Sequence, residues 1–68
     1  MDEPVIIDTI QAHCIIEGDW ITHGGKNLRV VSVEDFGDEI TFECLTETED
    51  EETITVPWNE KIGVLGWI

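Results

Sequence analysis

Cations are nearly missing from this chain: Lys26, Arg29 and Lys61 stand against 16 Asp and Glu, a formal net charge of −13 over 68 residues. Direct nucleic-acid binding is thereby disfavoured, because phosphates are met by basic stripes and none is present. Tyrosine is absent, and the 2 cysteines, Cys14 and Cys44, form no CxxC. No apolar run approaches the roughly 18 residues of a membrane span. The opening Met1-Asp2-Glu3-Pro4 is acidic where a secretory signal is basic. These absences lead us to expect a cytoplasmic protein whose charge keeps it off anionic membranes.

Apolar side chains are abundant by contrast. Hydrophobic residues make up 41% of the chain, with 3 Trp and 2 Phe, more than acidic disordered tails carry, so a folded domain is expected. The whole chain, 1–68, reads as one domain with its core over about 15–68, too short for a second core or a deep substrate cavity. Self-association would help so small a domain, and a homo-oligomer is one expected state. Two like charges about 7 Å apart in water repel by roughly 0.6 kcal/mol, so dense carboxylates oppose compaction repeatedly. In return they supply solubility and a strong external field, which points to a basic partner. Halophilic adaptation would also explain acidity, but it fits an even spread of charge better than the run found here.

Read by period, nearly everything is strand-like. Val5 to Ile10 is rich in β-branched residues, and Cys14-Ile15-Ile16 continues the apolar content up to the Glu17-Gly18-Asp19 break. Trp20-Ile21-Thr22 runs into His23-Gly24-Gly25-Lys26, a hairpin turn signal. From Leu28 to Val33 the alternation slips between Val30 and Val31, which predicts a bulge or a strand covered on both faces. After the turn Glu34-Asp35-Phe36-Gly37-Asp38, residues Ile40, Phe42 and Cys44 share a core face while Glu39, Thr41 and Glu43 share a wet one. The segment 47–52 caps a hairpin, Ile54 and Val56 return on the next strand, and Pro57 ends the pairing for want of an N–H. A turn at 58–61 precedes a last strand, Ile62 to Trp67, in which Gly63 and Gly66 suggest sharp bends. Thr9 to Glu17 has room for one short helix, but its Ile and Thr content opposes it.

The stretch Glu17-Gly18-Asp19-Trp20-Ile21 followed by Leu28-Arg29-Val30-Val31-Ser32-Val33-Glu34 resembles the strand openings of SH3-like small barrels, over about Ile15 to Ile68. The resemblance implies an all-β fold, a small five-stranded SH3-like barrel with an extra N-terminal strand or extended segment. It is similar to the short acidic barrels encoded by bacteriophages. The lack of Tyr and of an ALYDY-like segment departs from the peptide-binding SH3 domains, so no PxxP groove is implied.

A zinc site would have to draw on His13, Cys14, His23 and Cys44, whose spacing fits no standard finger, so buried free thiols and no metal are expected. A disulfide is less expected, since no secretory signal precedes the cysteines. His13 and Cys14, as strand neighbours, should point to opposite faces and not meet. Ser32, His23 and Asp35 lack a nucleophile elbow or oxyanion loop, so neither an enzyme nor a cofactor is expected. The acidic run lacks the Asp-x-Asp-x-Asp-Gly order of an EF-hand.

The bland reading of that run is a solvated hairpin tip. The functional reading is a partner-binding surface built from Glu39, Glu43, Glu47, Glu49, Asp50, Glu51 and Glu52, with Trp58 as an exposed anchor at a turn. Carboxylates spaced along a strand by about 6.6 to 6.8 Å would compete with nucleic acid for Lys and Arg clusters. The function expected is therefore a non-enzymatic module that covers a basic surface of a nucleic-acid-binding protein, as a phage-type inhibitor or nucleic-acid mimic would. The alternative is a small structural or self-associating component of a larger assembly.

Overall fold

The computed structural model describes residues 3–67; Met1 and Asp2 of the acidic opening, and Ile68 at the end of the SH3-like stretch, lie outside the described residues. Six strands follow one another along the chain: β1 (Pro4–Gln11), β2 (Trp20–His23), β3 (Lys26–Asp35), β4 (Glu39–Thr46), β5 (Glu51–Pro57) and β6 (Lys61–Trp67). They form a single antiparallel sheet in the order β1-β6-β2-β3-β4-β5, with β1 and β5 at its edges. The protein is all-β. Five strands with an extra N-terminal strand or extended segment were expected, and the count is six because Pro4–Gln11 forms a strand that pairs with β6, with a register shift between Ile6 and Asp8.

Local chemistry explains the elements. Gly24 and Gly25 take φ of 60° and 79°, the two left-handed positions of a tight β2–β3 hairpin. Between Val30 and Ser32 the β3–β4 register shifts, so the expected bulge exists and Val31 is the residue left over. Val30 thus stays buried while Val31 is turned outward and 44% exposed. The short segment between β1 and β2 is not a strand. Ala12–Cys14 form one 3-10 turn whose Ala12 is buried, followed by buried Ile15 and exposed Ile16. Gly63 and Gly66 serve close approach rather than bending. A Cβ on Gly63 would lie 2.9 Å from Thr22 Cγ2, and one on Gly66 would lie 2.9 Å from Ile7 Cγ2.

Ala12, Ile15, Ile21, Leu28, Val30, Ile40, Phe42, Cys44, Val56 and Ile62 make the core. The β4 alternation holds as expected: Ile40, Phe42 and Cys44 are all buried, and among the described residues no polar or charged one is buried with them. Directly paired residues share a sheet face. Ile54 and Val56 therefore join the core face through Phe42 and Ile40, and the opposite face belongs to Thr53, Thr55, Thr41 and Glu43.

None of the three Trp is fully buried. Trp20 is half-buried and Trp67 is 46% exposed, their ring centroids 5.4 Å apart on the outer face. The reason lies in register: Trp20 pairs with Arg29, one position off the inward-facing Ile21–Leu28 pair.

Candidate functional site

Of the fifteen described carboxylates, thirteen are exposed and two, Asp19 and Glu52, are half-buried. Among the described residues one ion pair forms, Lys26 Nζ to Glu52 Oε2 at 2.8 Å. The acidity is thus almost entirely uncompensated at the surface. If it opposes folding, moderate salt should raise the melting temperature by screening over about 8 to 10 Å. A melting curve indifferent to salt would remove self-repulsion from consideration, and a fold that needs molar salt would favour halophilic adaptation.

The residues expected to form one recognition field are divided by the fold. Glu39 and Glu43 are exposed on the outer face of β4 and separated by Thr41, so their backbones lie about 13 Å apart. Glu51 pairs with Leu45 and shares that face, whereas Glu52 pairs with Cys44 and falls on the core side, where it forms its ion pair with Lys26. Glu34, which pairs with Thr41, also belongs to the outer face. Sequence reasoning missed it because only the β3–β4 register reveals its alignment.

Glu47, Glu49 and Asp50 form the hairpin tip, which is tied down from within. The Thr46 hydroxyl accepts the N–H of Asp50 at 3.0 Å and that of Thr48 at 3.2 Å, and the Thr48 hydroxyl donates to Asp50 Oδ2 at 2.8 Å. Glu49 sits at φ 66°, a left-handed position uncommon for a residue with a side chain. Asn27 Nδ2 donates to Glu47 Oε2 at 3.2 Å across the gap from the β2–β3 hairpin. Between the two hairpins lies a cleft of about 430 Å³ lined by Lys26, Asn27, Thr46, Glu47, Asp50 and Glu52, among others.

Trp58 is 42% exposed, as expected for an anchor, but it stands in the β5–β6 turn, away from the acidic tip. Pro57 lies six residue steps along β5 from Glu51, about 20 Å of strand. Its neighbours are instead Glu39, which pairs with Pro57, and His13, whose ring centroid is 5.2 Å away and tilted by 54°.

His13 and Cys14 meet after all: the Cys14 sulfur lies 3.7 Å from His13 Nδ1. They belong to a 3-10 turn and not to a strand, so the rule of opposite faces does not apply. Both cysteines are free, but the expectation that both are buried holds for Cys44 alone. Burial, and secondarily the Glu52 charge, pushes the Cys44 thiol up. Cys44 should therefore resist alkylation in the folded protein while Cys14 is modified readily, as mass spectrometry after brief iodoacetamide treatment would show. Equal labelling of the two would contradict the core assignment. The same shift implies that stability is retained below the ordinary thiol pKa and declines as pH rises beyond it, since the unfolded chain ionises Cys44 first.

Ser32 donates to Glu43 Oε1 at 2.9 Å. Among the described residues no group of three or more His, Cys, Asp or Glu stands in a metal-holding arrangement, and no helix is long and apolar enough to cross a membrane. No protein-family model, curated protein or solved structure matches the chain. Geometry and charge alone carry the functional argument.

Proposed function

We propose that the protein is a non-enzymatic binding module, an acidic SH3-like small barrel with one strand added, that covers a positively charged surface of a nucleic-acid-binding protein. The observation that carries this reading is the exposed, almost unpaired set of carboxylates. A surface of that kind attracts Lys and Arg clusters over long range and competes with phosphate for them. The strand order is the support for the barrel reading: β2 to β5 form a meander and β6 crosses back to lie beside β2, with β1 and β5 as the edges of the sheet. A phage-encoded inhibitor or nucleic-acid mimic acting in the host cytoplasm is the form this function takes. Retention of a basic partner on the immobilised protein, and its release by salt raised severalfold, tests the reading; retention that ignores salt would refute it.

A second reading, a small self-associating component of a larger assembly, is favoured by one specific feature. Ile6, 59% exposed, pairs with Leu65 on the outer face near Trp20 and Trp67, in a region where β1, β2 and β6 carry only Asp8 and Lys61 as charged residues. Two highly acidic copies approach most easily where carboxylates are fewest. Sedimentation across a concentration series separates the readings.

A further inference from the structure

Three segments distant in sequence are joined by main-chain hydrogen bonds at the end of the sheet opposite the acidic tip. The Ala12 N–H donates to the Glu60 carbonyl at 2.9 Å, the His13 N–H to the Trp58 carbonyl at 3.1 Å, and the Trp58 N–H to the Asp38 carbonyl at 3.0 Å. Trp58 is thereby held through both its main-chain donor and its acceptor, and the His13 ring lies against its indole. In the β3–β4 turn held by this clamp, Phe36 is 63% exposed, and the Gly37 N–H donates to Asp35 Oδ1 at 2.8 Å. Asp35, Asp38 and Glu39 lie within three residues of Phe36, Glu60 lies two residues after Trp58, and all four are exposed. Lys61 is the one cation adjoining them in sequence.

From this arrangement we infer that the end of the sheet bearing Phe36 and Trp58 is the docking surface for the partner, and that its occupant is an arginine- or lysine-rich segment of another protein. The inference rests on the basic-partner reading above and adds to it the place of contact. Charge complementarity selects the occupant, since four exposed carboxylates at the two turns that carry the exposed rings favour cations whose aliphatic stems lie on the rings and whose heads reach the acids. Aromatic anchors held before binding lose little freedom on association, which is why such residues dominate interfaces. The tip loop itself, 47–50, carries no large apolar side chain, and Val31, which shares a cleft with Glu43, Glu51 and Glu52, is a small aliphatic anchor compared with two aromatic ones; the tip therefore contributes attraction at a distance more than contact.

The test is an NMR titration of the isotopically labelled full chain with a short synthetic arginine-rich peptide, beside the same peptide with citrulline in place of arginine. Expected are shifts at the Trp58 indole and at the main-chain amides of 12–13, 35–39 and 58–60, with no response to the citrulline peptide. Phe36→Ser with Trp58→Ala should weaken binding about tenfold or more, whereas Glu47→Gln with Glu49→Gln leaves the map in place. Shifts confined to 47–52 would overturn the inference and leave the basic-partner reading standing. No arginine-dependent binding at all would overturn both. Shifts at the clamp that grow with protein concentration alone would also overturn it, assigning this end to contact between copies. The map on the unaltered chain decides the matter even if the double variant fails to fold.

Discussion

Phe42→Ala should unfold the protein or bring it to the edge of unfolding. Phe42 is fully buried on β4, in the middle of the ten-residue core and on one face with Ile40 and Cys44. Truncating a buried Phe costs about 3 to 5 kcal/mol, through lost transfer energy and the cavity left behind. Total stability for a chain of this length is roughly 3 to 10 kcal/mol, at ~0.05 to 0.15 per residue. The lower half of that range is consumed outright. Thermal or urea melting of the variant, followed by circular dichroism, measures the effect. A variant that melts close to the unaltered protein would mean that β4 turns its other face to the core. Thr41→Ala, which removes only the outer-face contact between Thr41 and Thr55 hydroxyls at 2.9 Å, is the control and should cost far less.

Removing charge from the surface should have the opposite effect on stability and a large effect on binding. Replacing Glu39, Glu43, Glu47, Glu49, Asp50 and Glu51 by their amides leaves the Lys26–Glu52 pair and the core untouched. Stability should hold or rise, because like charges have been removed and no described salt bridge is lost. Association with a basic partner should slow by about tenfold or more, the scale of electrostatic steering, and lose most of its salt dependence. Trp58→Ala should act on the other rate: a desolvated anchor holds the complex together, so its loss speeds dissociation, by about thirtyfold if it is worth 2 kcal/mol. Stopped-flow kinetics at two salt concentrations separates the two effects. If neither the amide variant nor raised salt changes binding, the acidity serves solubility only and self-association becomes the better account.

The alternation of Ile40, Phe42 and Cys44 and the slip at Val30-Val31 were legible without a structure, because one buried face imposes a period of two and a bulge is the cheapest way to break it. The hairpin at Gly24-Gly25 was legible because few residues other than glycine accept two successive left-handed positions. The strand at the N-terminus was visible only as an alternative to an extended segment. Its pairing with β6 joins the two ends of the chain, and no local signal encodes a partner that distant. Equally hidden was the 3-10 turn that brings His13 to Cys14 and to Trp58, since its Ile and Thr neighbours have strand propensity and tertiary contact overrode it.

For the surface, composition determined that the protein is acidic, short of cations and rich enough in apolar side chains to fold, for these are sums over residues and need no coordinates. Where that charge lies could be decided only by tertiary structure. Register sets Glu51 outward and Glu52 toward Lys26, and strand length carries Trp58 away from the tip it was expected to serve. Main-chain hydrogen bonds across three loops gather Phe36, Trp58 and their carboxylates at one end. A side chain's type is a property of the sequence; its neighbours are set by pairing between strands, and pairing is a contest among all the segments at once.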